Sequence, residues 1–344
     1  MELDQRKLRI LRAIIDEYIL SASPVGSKSL SQNPEVTWSP ATIRNEMADL
    51  EELGYLEQPH TSAGRVPSDK AYRLYVDQMM QRAQLSDDEA KVLKGYFQSR
   101  INGVETVLRA TAQALSEITH YTAVVLMPDL AVNRLRHVQL VPLTQGKALA
   151  VVVTDSGVAR DAVIDVPADM TPDELVGISR IITKFCYNCR MSEVPRRLKD
   201  NLGDEMCGRA QFLKRIFDAI DANDEANRRL LSLSGATNML RYPEYSDVNR
   251  AKSFLATVEE KDALYHLMKK ASVMEFNITI GAENEQEGLQ DCSVVTASYR
   301  VNGVQVGTFG VIGPTRMNYS RVLSVLKGVQ DNLTLVLQSF LKEE

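Results

Sequence analysis

With 344 residues, the chain is too long for one ordinary domain and predicts two or three, and its 44% hydrophobic and 25% charged residues exclude a disordered chain. No run approaches the roughly 18 apolar residues of a membrane-spanning helix, and the acidic start is unlike a signal peptide. Four cysteines give no disulfide framework. We therefore expect a cytoplasmic protein that meets no membrane. The net charge of −5, with nine Lys/Arg against twelve Asp/Glu in the first 80 residues, excludes binding of nucleic acid by bulk charge alone.

The start of the chain predicts three short helices. Apolar residues recur at helical spacing over 4–21, and a shorter helix is predicted over about 27–32. The third helix begins at Ser39, a typical N-cap, because Pro40 is preset for the first helical position. Gly54 ends this helix. Its predicted buried stripe consists of Ile43, Met47, Leu50 and Leu53.

A short β-hairpin and a fourth helix follow. Strands are predicted around 55–57 and 65–66, joined by a polar tip that ends in Gly64. The fourth helix starts after Asp69 and carries four apolar residues on one side, Tyr72, Tyr75, Val76 and Met79. Three helices followed by a hairpin form the pattern of a winged helix-turn-helix, which we expect in residues 1–80.

The middle of the chain changes from helices to strands. Two helices are predicted within 85–118. Strands follow at 122–127, 134–143, 147–154 and 158–166, the last two as an antiparallel pair. A helix is predicted from 172 to about 187. Residues 190–271 then lack strand alternation and predict a charged helical segment.

Strand character returns near the end of the chain. Residues 276–280 and 295–301 alternate apolar and polar side chains, and Asn302-Gly303 is the strongest hairpin signal in the sequence. A final helix covers about 318–341. Because the strands before 170 and after 275 are too few for two independent sheets, we expect one mixed sheet interrupted by residues 190–271, in an α+β fold.

The third helix is the candidate DNA-recognition element. In a helix-turn-helix, the N-terminal part of the last helix enters the major groove. If Ile43 and Met47 face the core, then Thr42, Arg44 and Asn45 face the DNA. An arginine can pair with guanine and an asparagine with adenine, each worth about 1–3 kcal/mol of discrimination. A small helical domain whose Arg44 is merely solvated is the alternative that the pattern leaves open.

Cations outside this helix, and the order of charges within it, complete the candidate interface. Arg65 in the wing suits a phosphate or minor-groove contact, with Ser39, Lys28 and His60 as further candidates. Arg44 lies near the N-terminus of the third helix, whereas the acids of that helix cluster toward its C-terminus. A helix that enters the groove N-end first keeps these acids away from phosphate and presents its positive dipole end to the DNA. Because the cations are few, we expect a dimer on a palindromic site.

Several longer stretches are specific enough to indicate a family. They are the third helix from Ser39 to Glu51, the wing from His60 to Ser68, Pro24-Val25-Gly26-Ser27, Tyr72-Arg73-Leu74-Tyr75-Val76, Tyr242-Pro243-Glu244-Tyr245-Ser246-Asp247, and Ile312-Gly313-Pro314-Thr315-Arg316-Met317-Asn318-Tyr319. These stretches resemble the HrcA family of heat-shock repressors, and they are spread from residue 24 to 319, over essentially the whole chain. The last of them is expected to be a buried turn between the final strand and the final helix.

The resemblance implies a division of the chain as well as a function. It implies a winged helix at 1–80, a helical linker at 81–104, a GAF-like domain with a mixed or antiparallel sheet at 105–189 and 272–344, and a dimerising segment inserted at 190–271. It also implies a homodimer that represses chaperone operons by binding an inverted-repeat operator in double-stranded DNA. In this family the chaperonin is thought to keep the repressor active. Neither the chaperonin nor the operator follows from periodicity or charge.

Two rival functions are open at this point. A GAF-like fold often encloses a small-molecule pocket, so a ligand sensor is the main rival, and a chaperonin-binding adaptor is the other. The glycines at 307, 310 and 313 do not lead from a strand into a helix as a phosphate loop does, so we expect no cofactor. A ligand sensor without DNA binding predicts that Arg44→Ala changes nothing on DNA. An adaptor predicts chaperonin association without operator protection.

Catalysis and metal binding have little support in the sequence. No nucleophile stands with a base in a recognisable pattern, so we expect no catalytic residue and no enzyme. Cys186-x-x-Cys189 has the spacing of a redox or zinc motif, but the remaining thiols are Cys207 and Cys292, and the four histidines are scattered. We therefore expect ordinary semi-buried thiols and no metal site.

Overall fold

The computed structural model describes residues 3–60, 63–81, 83–98, 104–126, 134–155, 159–167, 169–201, 216, 231–271, 274–301 and 304–340. Within these ranges, helices and antiparallel sheets confirm the predicted α+β class. Several predicted features lie outside the described residues: the tip of the wing at 61–62, Cys207, and the hairpin residues Asn302-Gly303. Among the described helices, none combines the length and apolar character that a membrane crossing requires.

Three short helices open the chain, as predicted. They are α1 (Gln5–Ser21), α2 (Ser27–Leu30) and α3 (Pro40–Glu52). The side chain of Asp4 caps α1 by accepting a hydrogen bond from the backbone N–H of Lys7 at 2.8 Å, which satisfies a donor that a helix start leaves free. The predicted N-cap Ser39 precedes α3, and Gly54 follows it with a φ of +75°, a conformation that glycine adopts without strain.

The buried stripe of α3 differs from the predicted one in a single residue. Ile43, Met47 and Leu50 are buried as predicted, whereas Leu53 is half-buried. Leu53 is the C-cap of the helix, so it lies beyond the regular helical face. Glu46 is buried instead, because residues three and four apart in a helix share one face and Glu46 lies between Ile43 and Leu50.

A small β-hairpin packs beside these helices. β1 (Leu56–Glu57) and β2 (Val66–Pro67) pair in antiparallel fashion, as predicted. Val25, just before α2, forms a β-bridge with Arg65 and adds a third extended segment to the hairpin. The chain then continues into α4 (Asp69–Leu74) and a π-helical stretch (Tyr75–Met79).

The described elements after residue 80 follow the predicted bounds within a few residues, apart from one added strand. In chain order they are α5 (Asp87–Gln98), α6 (Val104–Thr119), β3 (Thr122–Leu126), β4 (Leu135–Thr144), β5 (Lys147–Thr154), β6 (Ala159–Asp165), α7 (Pro172–Cys186), α8 (Val194–Asn201), β7 (Leu231–Ser234), α9 (Val248–Glu259), α10 (Lys261–Ala271), β8 (Phe276–Ile280), β9 (Cys292–Val301), β10 (Val304–Pro314) and α11 (Tyr319–Phe340). The added strand is β7, which lies in the segment predicted to be helical.

These strands form two separate antiparallel sheets. Five of them pair in the order β7-β3-β10-β9-β8, and three pair in the order β4-β5-β6. The helix α7 covers the three-stranded sheet, and together they enclose a hydrophobic core of their own. The five-stranded sheet has helices on both faces, α6 and α11 on one and α9 and α10 on the other.

The prediction of one mixed sheet is therefore wrong in part: β3 does share a sheet with the strands after 275, but that sheet is antiparallel, and β4, β5 and β6 form a second sheet. Strands β4, β5 and β6 are joined by short connections and pair with one another. They therefore do not pair with the strands after 275. The strand that completes the larger sheet with β3 is β7, whose Leu-Ser-Leu-Ser pattern alternates but is only four residues long. Pairing of Leu126 with Leu231 brings the two ends of the intervening chain side by side.

One hydrophobic core joins the N-terminal helices to the larger sheet. It runs without interruption from Ile14 in α1 through Tyr72 in α4 to Phe309 in β10 and Leu326 in α11. The N-terminal unit, which consists of α1 to α4 and the hairpin, is therefore packed on the rest of the chain through apolar side chains. This contact keeps the N-terminal helices attached to the larger sheet.

Substitution of a core leucine in α11 is expected to destabilise the chain far more than substitution of a surface leucine in the same helix. Leu326 is 0% exposed and Leu335 is 66% exposed. Leu326→Ala should lower the free energy of unfolding by about 2–5 kcal/mol, and Leu335→Ala by less than about 0.5 kcal/mol. Urea unfolding followed by circular dichroism measures both. Equal losses for the two variants would contradict the packing of α11 on the sheet.

Candidate nucleic-acid interface

The N-terminal end of α3 is held by a side-chain cap. The hydroxyl of Ser39 accepts a hydrogen bond from the Thr42 backbone N–H at 3.2 Å and lies 2.9 Å from the Thr42 hydroxyl. Both predicted contact residues are thus engaged with each other at the start of the helix. This arrangement fixes the direction in which the first turn of α3 presents its remaining backbone donors.

Arg44 and Asn45 lie one turn further along α3 and are exposed. Neither side chain makes a hydrogen bond or an ion pair with any residue in the described part of the chain. They lie between the buried Ile43 and Glu46 on the exposed face of the helix, so they point away from the core. A free guanidinium next to a free amide offers the donors and acceptor that base edges in a major groove require.

Three of the four acidic residues of α3 pair with cations from other elements. The buried carboxylate of Glu46 accepts hydrogen bonds from Arg6 at 3.2 Å and from Lys7 at 2.7 Å. The ammonium of Lys7 also lies 2.9 Å from Asp49. These bonds, that to Glu46 foremost, raise the pKa of Lys7, so the cation stays charged.

Arg65 takes part in the same compensation. Its guanidinium donates to Glu51 of α3 through Nε at 2.8 Å and lies 2.7 Å from it through Nη2. The sequence predicted a phosphate or minor-groove contact for Arg65, and in the structure this side chain ties the wing to α3. Of the four acids in α3, all of them described, only Glu52 has no cation partner. The acidic end of the helix therefore carries little uncompensated charge.

The wing is anchored by backbone contacts at its base. Val25 and Arg65 exchange two backbone hydrogen bonds, of 2.9 and 2.8 Å. Gly64 lies so close to this bridge that a Cβ there would come within 2.3 Å of the Val25 carbonyl oxygen. Only glycine therefore fits at the base of the wing, which keeps the hairpin pressed against the segment before α2.

Lys28 and His60 are the remaining predicted contact residues. Both are exposed, Lys28 in α2 and His60 at the described edge of the wing. Neither has an ion-pair partner among the described residues. The structure thus brings Lys28, Arg44 and Asn45 to the surface without competing partners, and it gives Ser39, Thr42 and Arg65 roles in holding the helix and the wing.

Sequence reasoning missed Arg6 and Lys7. Their signal was indirect, because an acid at position 46 in the middle of an apolar stripe requires a buried cation nearby. Nothing in the sequence shows which cation supplies it, since α1 and α3 are brought together only by the fold.

The three cysteines that the structure describes, Cys186, Cys189 and Cys292, are buried free thiols. Burial raises the pKa of both Cys186 and Cys292 to about 12, so at neutral pH each stays a thiol. The thiol of Cys189 donates to the Cys186 carbonyl oxygen at 2.8 Å. Within the described residues, no group of His, Cys, Asp and Glu side chains has the arrangement of a metal site.

Known proteins resemble this chain along nearly its full length. Residues 105–323 match the family described as HrcA protein C terminal domain. A protein of Acetivibrio thermocellus named heat-inducible transcription repressor HrcA is 40% identical over 97% of this chain and 96% of its own. A protein of the same name from Ruminiclostridium cellulolyticum is 41% identical over 97% of each chain. A crystal structure of a hypothetical protein shares the fold, with a TM-score of 0.63, 22% identity, and coverage of 98% of this chain and 100% of the other.

Replacement of the wing glycine is expected to displace the wing. Gly64→Ala should lower the free energy of unfolding by about 1–3 kcal/mol, because the new methyl group meets backbone that can move only by breaking the Val25–Arg65 bridge. Gly95→Ala in α5 is the matched control, since a Cβ there meets nothing within 4 Å. Thermal unfolding of the two variants tests this. An unchanged melting temperature for Gly64→Ala would contradict the close approach.

Proposed function

The chain belongs to the HrcA family of heat-inducible transcription repressors, and on that basis we propose that it represses transcription by binding operator DNA through α3. The observation that carries this proposal is the pair of free, exposed side chains of Arg44 and Asn45 on a capped helix, three of whose four acids are paired with cations. In this mechanism Arg44 and Asn45 read base edges and Lys28 contacts phosphate. Arg65 holds the wing against α3, and His60 lies at the wing for a further backbone contact.

A repressor acts by occupying DNA and has no chemical step. The named relatives are transcription repressors, so membership of the family confirms that the chain is not an enzyme. A net charge of −5 argues against DNA binding by the chain as a whole. The pairing of acids in α3 with cations lowers the negative charge locally, at the helix proposed to bind DNA. The positive end of the α3 dipole and the exposed Arg44 near it then supply a local attraction for phosphate.

The proposal includes a division of the chain into parts. Residues 1–80 form a winged helix, supported by α1 to α3 and by the hairpin with its extra bridge at Val25. Residues 81–104 link it to a GAF-like domain, for which the five-stranded antiparallel sheet with helices on both faces is the support. The sequence predicted an insertion at 190–271. The pairing of β3 with β7 favours an insertion between residues 126 and 231 instead, with the three-stranded sheet as its core.

A homodimer is the proposed binding form, because an inverted-repeat operator has the two-fold symmetry of a dimer. The open face of the three-stranded sheet supports this proposal. Val141, Leu149 and Val163 stand in one row across the three strands, on the side away from α7. An apolar row on a two-fold axis can pack against its own copy, as isologous interfaces do.

Modulation by a chaperonin is also proposed, and it rests on the family resemblance alone. Under this proposal, chaperonin keeps the repressor competent for operator binding. Operator binding is therefore to be compared with and without added chaperonin. An adaptor that only associates with chaperonin would show no protection of operator DNA in either condition.

Removal of the Arg44 side chain is expected to weaken sequence-specific binding. Arg44→Ala should cost about 1–3 kcal/mol on an inverted-repeat fragment from a chaperone promoter, and far less on a scrambled fragment. Arg196→Ala is the matched control, since it removes the same charge from a side chain that is 88% exposed on α8. A salt-titrated binding assay measures both variants. Equal losses for the two variants, or equal affinity of the unchanged chain for both fragments, would refute direct readout by α3.

A charge on the open face of the three-stranded sheet is expected to dissociate the dimer. Val163→Asp should shift the chain toward monomer, because a buried unpaired carboxylate costs several kcal/mol at an interface. Val248→Asp on α9 is the control, with 64% exposure of the valine against 57% for Val163. Analytical ultracentrifugation at several concentrations gives the two dissociation constants. The same constant for Val163→Asp and the unchanged chain would place the dimer contact elsewhere.

A further inference from the structure

Three of the family-like stretches meet at one seam. The seam is the contact surface between residues 1–80 and the five-stranded sheet with its loops. The end of α1 and the helix α4 lie on one side of the seam, and the stretches 242–247 and 312–319 lie on the other. The stretch 312–319 is the predicted turn between the last strand and the last helix, and it also contacts the N-terminal unit.

Arg316 reaches from that turn into the N-terminal unit. Its side chain is 10% exposed and forms an ion pair with Glu244 through Nε, with a second hydrogen bond from Nη2 at 3.4 Å. Its Nη1 donates to the Ile19 carbonyl oxygen at 3.1 Å, and the guanidinium lies 5.5 Å from the centre of the Tyr242 ring. Ile19 is in the last turn of α1, where carbonyl groups lack helical partners and a cation is favoured by the dipole.

Arg73 crosses the seam in the opposite direction. From α4 it donates to Glu283 at 2.8 Å through Nε, and to the Ile278 carbonyl oxygen at 2.7 Å through Nη2. Glu283 in turn accepts a hydrogen bond from the Ile280 backbone N–H at 2.9 Å. The pair therefore covers free backbone groups on β8, the edge strand of the sheet.

Two further contacts lie between these arginines. The carboxylate of Asp69, at the start of α4, accepts a hydrogen bond from the Ala282 backbone N–H at 2.9 Å. The ring of Tyr72 packs on the ring of Tyr319, with centres 6.1 Å apart. The N-terminal unit is therefore attached at two separate elements, the end of α1 through Arg316 and α4 through Asp69 and Arg73.

Attachment at two points restrains rotation as well as separation. Apolar burial favours contact between the two surfaces but has no directional requirement of its own. A guanidinium held by a carboxylate and a carbonyl has a fixed geometry. Since α3 packs on α1, the orientation of α1 also sets the orientation of α3.

We propose that Arg316 and Arg73 are positioning residues, which orient the N-terminal unit so that a dimer presents its two α3 helices at one fixed spacing. This inference rests on the proposed function, because it concerns how the DNA-binding unit is held. Neither arginine contacts DNA in this mechanism. Their effect is on which distance between half-sites is accepted.

The test is a panel of operators that differ only in spacer length. The half-sites are those selected from a random DNA library by the unchanged chain. Each added base pair moves one half-site by about 3.4 Å and turns it by about one tenth of a helical turn. The unchanged chain should lose on the order of 100-fold in affinity when the spacer changes by half a turn, because simultaneous engagement of both half-sites is lost.

Arg316→Gln and Arg73→Gln should flatten this dependence. We expect them to lose less than about tenfold over the same change of spacer, while their affinity for a single half-site stays within about twofold of the unchanged chain. Arg321→Gln is the matched control. Arg321 also pairs with a carboxylate, Glu89 at 2.7 Å, and donates to a carbonyl, that of Ile118 at 3.1 Å, but both partners lie outside the N-terminal unit. It should keep the steep dependence.

Different failures of this test have different meanings. A spacing profile in the Arg316 and Arg73 variants as steep as that of the unchanged chain overturns the inference alone. A parallel loss of single half-site affinity also overturns it, because the arginines would then support the folding of the DNA-binding unit. If the unchanged chain binds all sequences equally, the proposed function fails, and this inference fails with it.

Hydrogen exchange tests the attachment without DNA. Arg316→Gln should raise amide exchange in residues 15–22 and 69–79, while exchange in β4 to β6 stays unchanged. Arg321→Gln should leave residues 15–22 unaffected. Unaltered exchange at the end of α1 in Arg316→Gln would overturn the role of Arg316.

Discussion

The interface depends on the neutralisation of one buried acid. Glu46 lies in the apolar stripe of α3, where an unpaired carboxylate would be costly, and its two cations come from α1. This contact docks α3 on the first helix of the chain. It also removes negative charge from the helix that we propose as the DNA-binding element. The docking of the helix and its electrostatics therefore follow from the same ion pairs.

The local structure of the N-terminal unit could be predicted because its signals are local. Ser39-Pro40 marks the start of α3 and Gly54 its end, since capping and left-handed backbone depend on one or two residues. The grouping of strands into sheets could not be predicted in the same way. It depended on β7, a four-residue strand whose alternation is too short to separate from a helical segment by pattern.

The candidate site shows the same limit. Exposure of Arg44 and Asn45 followed from helical periodicity, because their neighbours Ile43 and Met47 are apolar. The partners of Arg65 and Arg316 did not follow, because each reaches an acid on a different element that only the fold brings close. Sequence pattern indicates which face a side chain occupies. It does not indicate which carboxylate from another element will pair with that side chain.

The pairing of Leu126 with Leu231 also bears on the order in which the chain folds. Before β7 can join β3, the ends of a loop of about 100 residues must meet, and the entropy of that closure slows the pairing. The three-stranded sheet, with its own core and local contacts, can form first and bring the two ends together. The five-stranded sheet is then completed late in folding. Until β7 pairs with β3, the backbone groups on that edge of β3 are free to pair with other chains.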